Sequence, residues 1–374
     1  MSTPVDAVVV GGGLVGAALA YELCGEGLHT ALVDRHDRGR ATDAGAGILS
    51  PETIVTKSDP WSGLAMASAD HYRHLVPELA ELGAPDTGYA QCGSLRLAIR
   101  EWDDELFATT RQQILARSVG TVHDLDPAEA RAMCPPLGTV RAALHNPQAA
   151  RVDGRLATAA LLHGARLRGL TELAASVTGF QRVGSEVVAV ETDAATLACG
   201  AAVIAGGAWT PELGAQLGIE LPIVPVRGQI VHLLVEGADT RSWPILQPVL
   251  SHYVVSWPGG RIAVGATVEP DAGFDARPTA AGIRQLLSEV LHLAPGLGDA
   301  TFVEVRTGLR PVSADDVPIL GRVAGTDNVY VATGHGANGL LLGPYSARLV
   351  AELLLGRGPS TDLEPFAPDR FSPA

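Results

Sequence analysis

The stretch "VDAVVVGGGLVGAALAYELCGEGLHTALVDR", residues 5–35, constrains the fold more than any other part of the chain. Residues 5–10 are valine-rich with little alternation, as a strand buried on both faces requires. Gly11 to Gly16 make a turn, and residues 14–26 read as a helix stopped by Gly27. Residues 29–34 form a second apolar strand, so the segment opens a βαβ unit and a parallel sheet. Gly11, Gly13 and Gly16 permit a tight turn, close approach of a pyrophosphate and close helix–strand packing. The phosphates would meet the helix N-terminus at Leu14 and Val15, where free N–H groups and the helix dipole favour an anion. Asp34, at the end of the second strand and followed by Arg35, is placed for a ribose hydroxyl pair. The unit predicts dinucleotide binding, and either NAD or FAD satisfies it.

The remaining chain predicts a second architecture. At 374 residues, two lobes are expected rather than one core. Helices are expected at 62–82, 101–118, 153–170, 279–293 and 343–356, with a helix capped near Asp126 and begun by Pro127. Residues 186–209 read as a hairpin running into a buried strand, and 328–334 as a further buried strand. Between 222 and 268 several short β-like runs suggest an antiparallel sheet. The fold class is therefore α/β: a discontinuous Rossmann-like nucleotide domain from 1–85, 145–220 and 300–374, and a substrate domain from 86–144 and 221–299. The second domain carries a mainly antiparallel sheet and helices. The proline-rich tail 357–374 reads as an extended surface arm.

A net charge of −14, with no Lys/Arg run, argues against nucleic acid as a partner. Four cysteines without a CxxC pair point to reduced thiols in a cytoplasmic protein and to no metal site. The N-terminus lacks a signal-peptide pattern, and residues 6–24, with Asp6, Glu22 and three consecutive glycines, do not read as a membrane span.

Four further segments carry chemistry. "RATDAGAGILSP" (40–51) is a small-residue run that lets a bulky ring pass the backbone, or else a surface loop. "VIAGGAWT" (203–210) opens a buried strand into Gly206 and Gly207, whose N–H groups can face a cofactor, with Trp209 beside them. "TGLRPVSADDVPILG" (307–321) sets Arg310 between Leu309 and Pro311 on what reads as a rigid turn, suited to bidentate capture of a carboxylate. "ATGHGANGLLLGP" (332–344) is a glycine-rich loop entering a helix, able to stabilise negative charge. His335 within it reads as a loop residue.

In combination these segments resemble the FAD-dependent D-amino acid oxidase superfamily, and within it the glycine oxidase branch associated with thiamine biosynthesis. The resemblance rests on "GGGLVG", "AGAGILSP", "ARVDGRL", "AGGAW", "PVRGQI", "GATVEPDAGFD", "GLRP" and "GHGANGLLLGP", in family order over nearly the whole chain. It implies FAD, contacted by Ala41, Thr42, Ala46, Gly47, Ile48, Leu49 and Val177. Gly336, Ala337, Asn338, Gly339, Leu340 and Arg310 would lie near its ring. It also implies that Arg310 and Tyr253 bind a substrate carboxylate, and that a hydride passes from the substrate Cα to flavin N5. The expected substrate is a small amino or imino acid, and the acceptor is O2 or, in a dehydrogenase, a quinone. A tailoring amine oxidase and a non-enzymatic flavin protein are the alternatives. The branch often carries arginine where this chain has Ala337, and Asp43 also departs from its pattern. No cysteine in 310–320 and no histidine in 40–51 is available for a covalent link, so noncovalent FAD is expected. A homo-oligomer is compatible with the sequence.

Overall fold

The computed structural model describes residues 4–117 and 121–371. The first sheet is centred on Val5–Val10, which pairs in parallel with Thr30–Asp34 on one side and with Thr196–Ile204 on the other. Thr171–Ala174 extends it beyond the second strand, and Val329–Thr333 joins in parallel to Thr196–Ile204. Val8, Val9, Val203, Ile204, Val329 and Val331 are all fully buried, which explains their unbroken apolar run. Helices Leu14–Gly25, Asp59–Glu81, Gly154–Leu167 and Gly339–Leu354 contribute to one core against this sheet. The first helix ends as the sequence predicts. Gly27 takes a φ of 82°, and the Gly27 and Leu28 N–H groups bond back to the Cys24 and Leu23 carbonyls.

The second sheet has eight strands, in the order Thr301–Ser313, Ile223–Leu234, Arg261–Gly265, Tyr253–Ser256, Ile245–Pro248, Ser94–Ala98, Ala142–Asn146 and His123–Leu125. All its pairs are antiparallel except Ile245–Pro248 with Ser94–Ala98. Leu95, Leu97, Val231, Val254 and Val264 pack on one face against helix Ala280–Leu293. The other face carries Tyr253, Ile230, Val255 and Ala263 beside Ala46 and Ile48 of the first lobe.

Three expectations are corrected. Arg310 sits not on a turn but inside a 13-residue strand, Thr301–Ser313, paired along its length with Ile223–Leu234. Pro311 is tolerated because this is the sheet's edge strand. Residues 301–313 therefore belong to the second sheet. The C-terminal helix begins at Gly339, four residues before the expected start. Finally, through residue 371 the tail folds back rather than extending. Leu363 and Phe366 are buried on the first core, and Arg370 pairs with Asp315 at 2.9 Å. Residues 372–374 of the expected arm, and position 118 of the expected helix 101–118, lie outside the described residues.

Candidate functional site

A cleft runs from the C-terminal ends of the parallel strands to the inner face of the second sheet. Its lining runs from Val10 and Asp34 at one end to Tyr253 and Arg310 at the other, an elongated site. At its first end Gly11 has a φ of 108°, and a Cβ there would lie 2.4 Å from the Ala205 carbonyl oxygen. The helix that follows has no acidic residue in its first turn, and Gly13 offers no side-chain cap. The Leu14 N–H is met by Thr42 Oγ1 at 3.1 Å. Gly13, Leu14 and Val15 line this end of the cleft.

Asp34 lines the same end, its Oδ2 accepting from Arg40 Nη1 at 2.9 Å and lying 3.0 Å from His36 Nδ1. Gly12 makes room for it: a Cβ at Gly12 would fall 2.7 Å from Asp34 Oδ2. Val177, Gly206, Gly207 and Trp209 form the adjoining wall. The Trp209 ring lies 5.9 Å from Arg35 Cζ and 5.7 Å from the ring of Phe274, which reaches over from the second lobe.

At the far end Ala41, Thr42 and Ala46 line one side, and Gly336, Ala337, Gly339 and Leu340 the other. Arg310 and Tyr253 face the space between the lobes. Arg310 Nη1 donates to the Thr267 carbonyl at 3.0 Å and to the Arg227 carbonyl at 3.4 Å. Among the described residues it has no carboxylate partner. Burial, opposed by the charge of Arg310, pushes the Tyr253 hydroxyl up to about 12, so it remains a donor.

Five residues expected to touch the cofactor do not line the cleft. Gly16 is a packing glycine, where a Cβ would fall 1.8 Å from the Gly11 carbonyl oxygen. Gly47 packs against the Val152 carbonyl in the same way, at a φ of 76°. Ile48–Leu49 form a short strand paired with Ala150–Arg151, which turns Leu49 into the first core. Asn338 closes the turn Gly336–Asn338, its N–H returned to the His335 carbonyl at 2.9 Å.

Conversely, Gly12, Arg40, Gly228, Ile230 and His335 line the cleft without having been singled out as site residues. Gly228 stands in "PVRGQI" and Arg40 at the head of "RATDAGAGILSP", so both motifs held a signal. His335 reads as a loop residue in sequence, yet it is 5% exposed with its Nε2 sealed and unpartnered. Burial lowers its pKa to about 4 and keeps the ring neutral.

The cleft fits FAD through its glycine cradle at Gly11 to Gly13, the Asp34 end, and the small-residue passage at 41–46. No cluster of potential metal ligands occurs among the described residues. The comparisons with known proteins agree. Residues 6–353 match the model of the FAD dependent oxidoreductase family DAO. The chain is 36% identical to the uncharacterized oxidoreductase YurR of Bacillus subtilis, covering 96% of this chain and 98% of that protein. The crystal structure of iminodiacetate oxidase from Chelativorans sp. BNC1 superposes with a TM-score of 0.92 at 34% identity, covering 97% of this chain and 99% of that one. That of glycine oxidase from Geobacillus kaustophilus gives 0.91 at 31% identity, covering 99% and 100%. The chain therefore belongs to the DAO family of FAD-dependent oxidoreductases, and FAD is its cofactor.

Proposed function

We propose that this enzyme oxidises the C–N bond of a small amino or imino acid to an imine, which water hydrolyses to an oxo acid. Arg310 carries this reading. Its guanidinium faces the cleft, is fixed by two carbonyls, and has no carboxylate partner among the described residues. An arginine fork held in this way suits a substrate carboxylate. Tyr253, kept protonated, donates a second hydrogen bond to that carboxylate. Bound FAD supplies the acceptor, at flavin N5, for the hydride that leaves the substrate carbon. The protein contributes binding and orientation, and a neutral substrate amine removes the need for a side-chain base.

In this reading Gly11 to Val15 and Asp34 hold the adenosine diphosphate half. Ala41, Thr42, Ala46, Gly336, Ala337, Gly339 and Leu340 surround the ring, and the cofactor is noncovalent. The first sheet with its helices forms the cofactor domain and the second sheet the substrate domain, with residues 301–313 in the latter. Dioxygen is the acceptor, and the free thiols support a cytoplasmic location. Among the described residues no helix is long and apolar enough to cross a membrane.

The test is a panel of glycine, sarcosine, iminodiacetate, D-alanine, D-proline and L-proline. Iminodiacetate belongs there because a similar enzyme is named for it. Anaerobic flavin bleaching and aerobic peroxide are read in parallel. Bleaching with peroxide is expected for at least one member. Bleaching without peroxide would make the enzyme a dehydrogenase, and no bleaching by any amino or imino acid would overturn the reading.

A further inference from the structure

A second cation stands on the sheet face that carries Tyr253. The pairings place Tyr253 opposite Gly265, and Leu246 opposite Val254, which puts Gln247 across from Tyr253. Gln247 in turn is paired with Arg96. Arg96, Gln247 and Tyr253 therefore form one row across three adjacent strands, all on the same face. At about 4.8 Å per strand, the Arg96 backbone lies roughly 10 Å from that of Tyr253. An arginine side chain spans most of that gap.

Arg96 has no ion pair and no hydrogen bond to any described residue, and its Nε is sealed from solvent without a partner. Burial alone depresses its pKa, with no anion opposing the shift. Glu52, on the loop that covers this part of the sheet, is bonded instead to Asn146 Nδ2 at 2.9 Å. Gln247 is engaged only through Oε1, by Thr53 Oγ1 at 3.4 Å, which leaves its Nε2 donors free among the described residues. A mostly buried guanidinium without a partner is unfavourable unless an anion meets it. Two donor groups without a protein partner thus stand one and two strands beyond Tyr253 on the same face, outside the residues that line the cleft itself.

We propose that Arg96 and the Gln247 amide bind a second carboxylate of the substrate, so that the enzyme's substrates are amino or imino diacids. The inference rests on the assignment of Arg310 and Tyr253 to the first carboxylate. The two cations then hold opposite ends of the substrate, with the reacting C–N bond between them. Ligands with one carboxylate leave Arg96 uncompensated and bind less tightly.

The experiment compares matched substrates on wild-type enzyme and on Arg96→Met, Gln247→Leu and Arg310→Met variants: iminodiacetate against N-ethylglycine, and D-aspartate against D-asparagine. Wild-type kcat/KM is expected to favour the diacid of at least one pair by 30-fold or more, about 2 kcal/mol. Arg96→Met should erase that preference through KM and leave the monocarboxylate unchanged or improved. Gln247→Leu should reduce the preference by a smaller factor. Arg310→Met should weaken every substrate of the panel. The stabilisation of Tm by millimolar iminodiacetate should likewise vanish in Arg96→Met, and Arg96→Lys should restore part of it. Equal losses on both members of each pair in Arg96→Met, or a wild-type preference for the monocarboxylates, would overturn the second subsite while the Arg310 assignment stood. Intact activity in Arg310→Met would overturn that assignment itself.

Discussion

The guanidinium of Arg310 lies directly across Gly228: a Cβ on Gly228 would fall 2.4 Å from both of its terminal nitrogens. Gly228 thus clears the path along which the arginine reaches the Thr267 carbonyl, while its pair Gly308 makes room for Ala41 and Ala44. Gly228 does not occupy the left-handed region, so alanine is tolerated by the backbone there. Gly228→Ala is expected to leave Tm nearly unchanged but lower kcat/KM about a hundredfold, mostly through KM, by displacing the guanidinium about 1 Å. Steady-state kinetics alongside a melt checks this. Unaltered KM would mean that Arg310 does not work from this pose.

Removing the fork altogether has a larger effect. Arg310→Met should cost roughly 3–5 kcal/mol of substrate binding by leaving a carboxylate unpaired in the cleft. Anaerobic titration of the flavin spectrum with a carboxylate inhibitor reads this directly, and the FAD content should stay at the wild-type level.

Glu269 anchors the loop that supplies the Thr267 carbonyl. It accepts from Thr267 Oγ1 at 2.5 Å, Gln229 Nε2 at 2.7 Å and Arg227 Nη2 at 2.6 Å. Burial alone would raise its pKa, but these three donors outweigh burial and hold the carboxyl below its usual value. A depressed carboxylate stabilises the fold above its unfolded pKa and loses that contribution as pH falls through the folded value. Glu269→Gln should therefore destabilise by about 1.5–3 kcal/mol at neutral pH. The gap to wild type should close in acid, and KM should rise as Arg310 loses a fixed acceptor. Melting curves from pH 3 to 8 would show a constant gap if Glu269 were not ionised.

Three buried histidines act on the same acid limb of the curve. His71, His232 and His335 are each lowered to about 4, with burial the main cause. In the unfolded chain each protonates near 6.5, so between the two values the unfolded state binds more protons and stability falls as pH falls. At pH 5.5 the cost is roughly 1 kcal/mol for each. Replacing one of them with glutamine should flatten the decline in Tm from pH 6.5 to 4.5. An unchanged slope in all three single variants would show that these rings are already charged in the fold.

The contact between Gly12 and Asp34 is testable through the cofactor. Gly12→Ala would push a Cβ to 2.7 Å from Asp34 Oδ2 and move the carboxylate away from the cleft. FAD affinity of the apoprotein, read by quenching of flavin fluorescence, should fall at least about tenfold, the equivalent of 1.4 kcal/mol. Wild-type affinity would exclude Asp34 as a contact.

Local pattern along the chain was enough wherever a short-range rule sets the outcome. The valine strand, the Gly11-Gly13 turn, the helix stop at Gly27 and Asp34 lie within 30 residues, where short-range sterics and hydrogen bonding suffice. The same holds for the turn of small residues at 206–207 and the loop at 336–340. Tertiary structure decided what depends on pairing between distant segments. "GLRP" reads as a turn because glycine and proline flank it, yet the edge position of Thr301–Ser313 removes the cost of Pro311 and makes the segment a strand. Leu49 sits in a motif expected to meet the cofactor, but the pairing of Ile48–Leu49 with Ala150–Arg151 turns Leu49 into the first core. Arg96 carries no local signal: a lone arginine between two leucines reads as an ordinary exposed strand residue. Only the register across three strands brings it into line with Tyr253, because cross-strand neighbours are set by hydrogen bonding between segments some 150 residues apart in the chain.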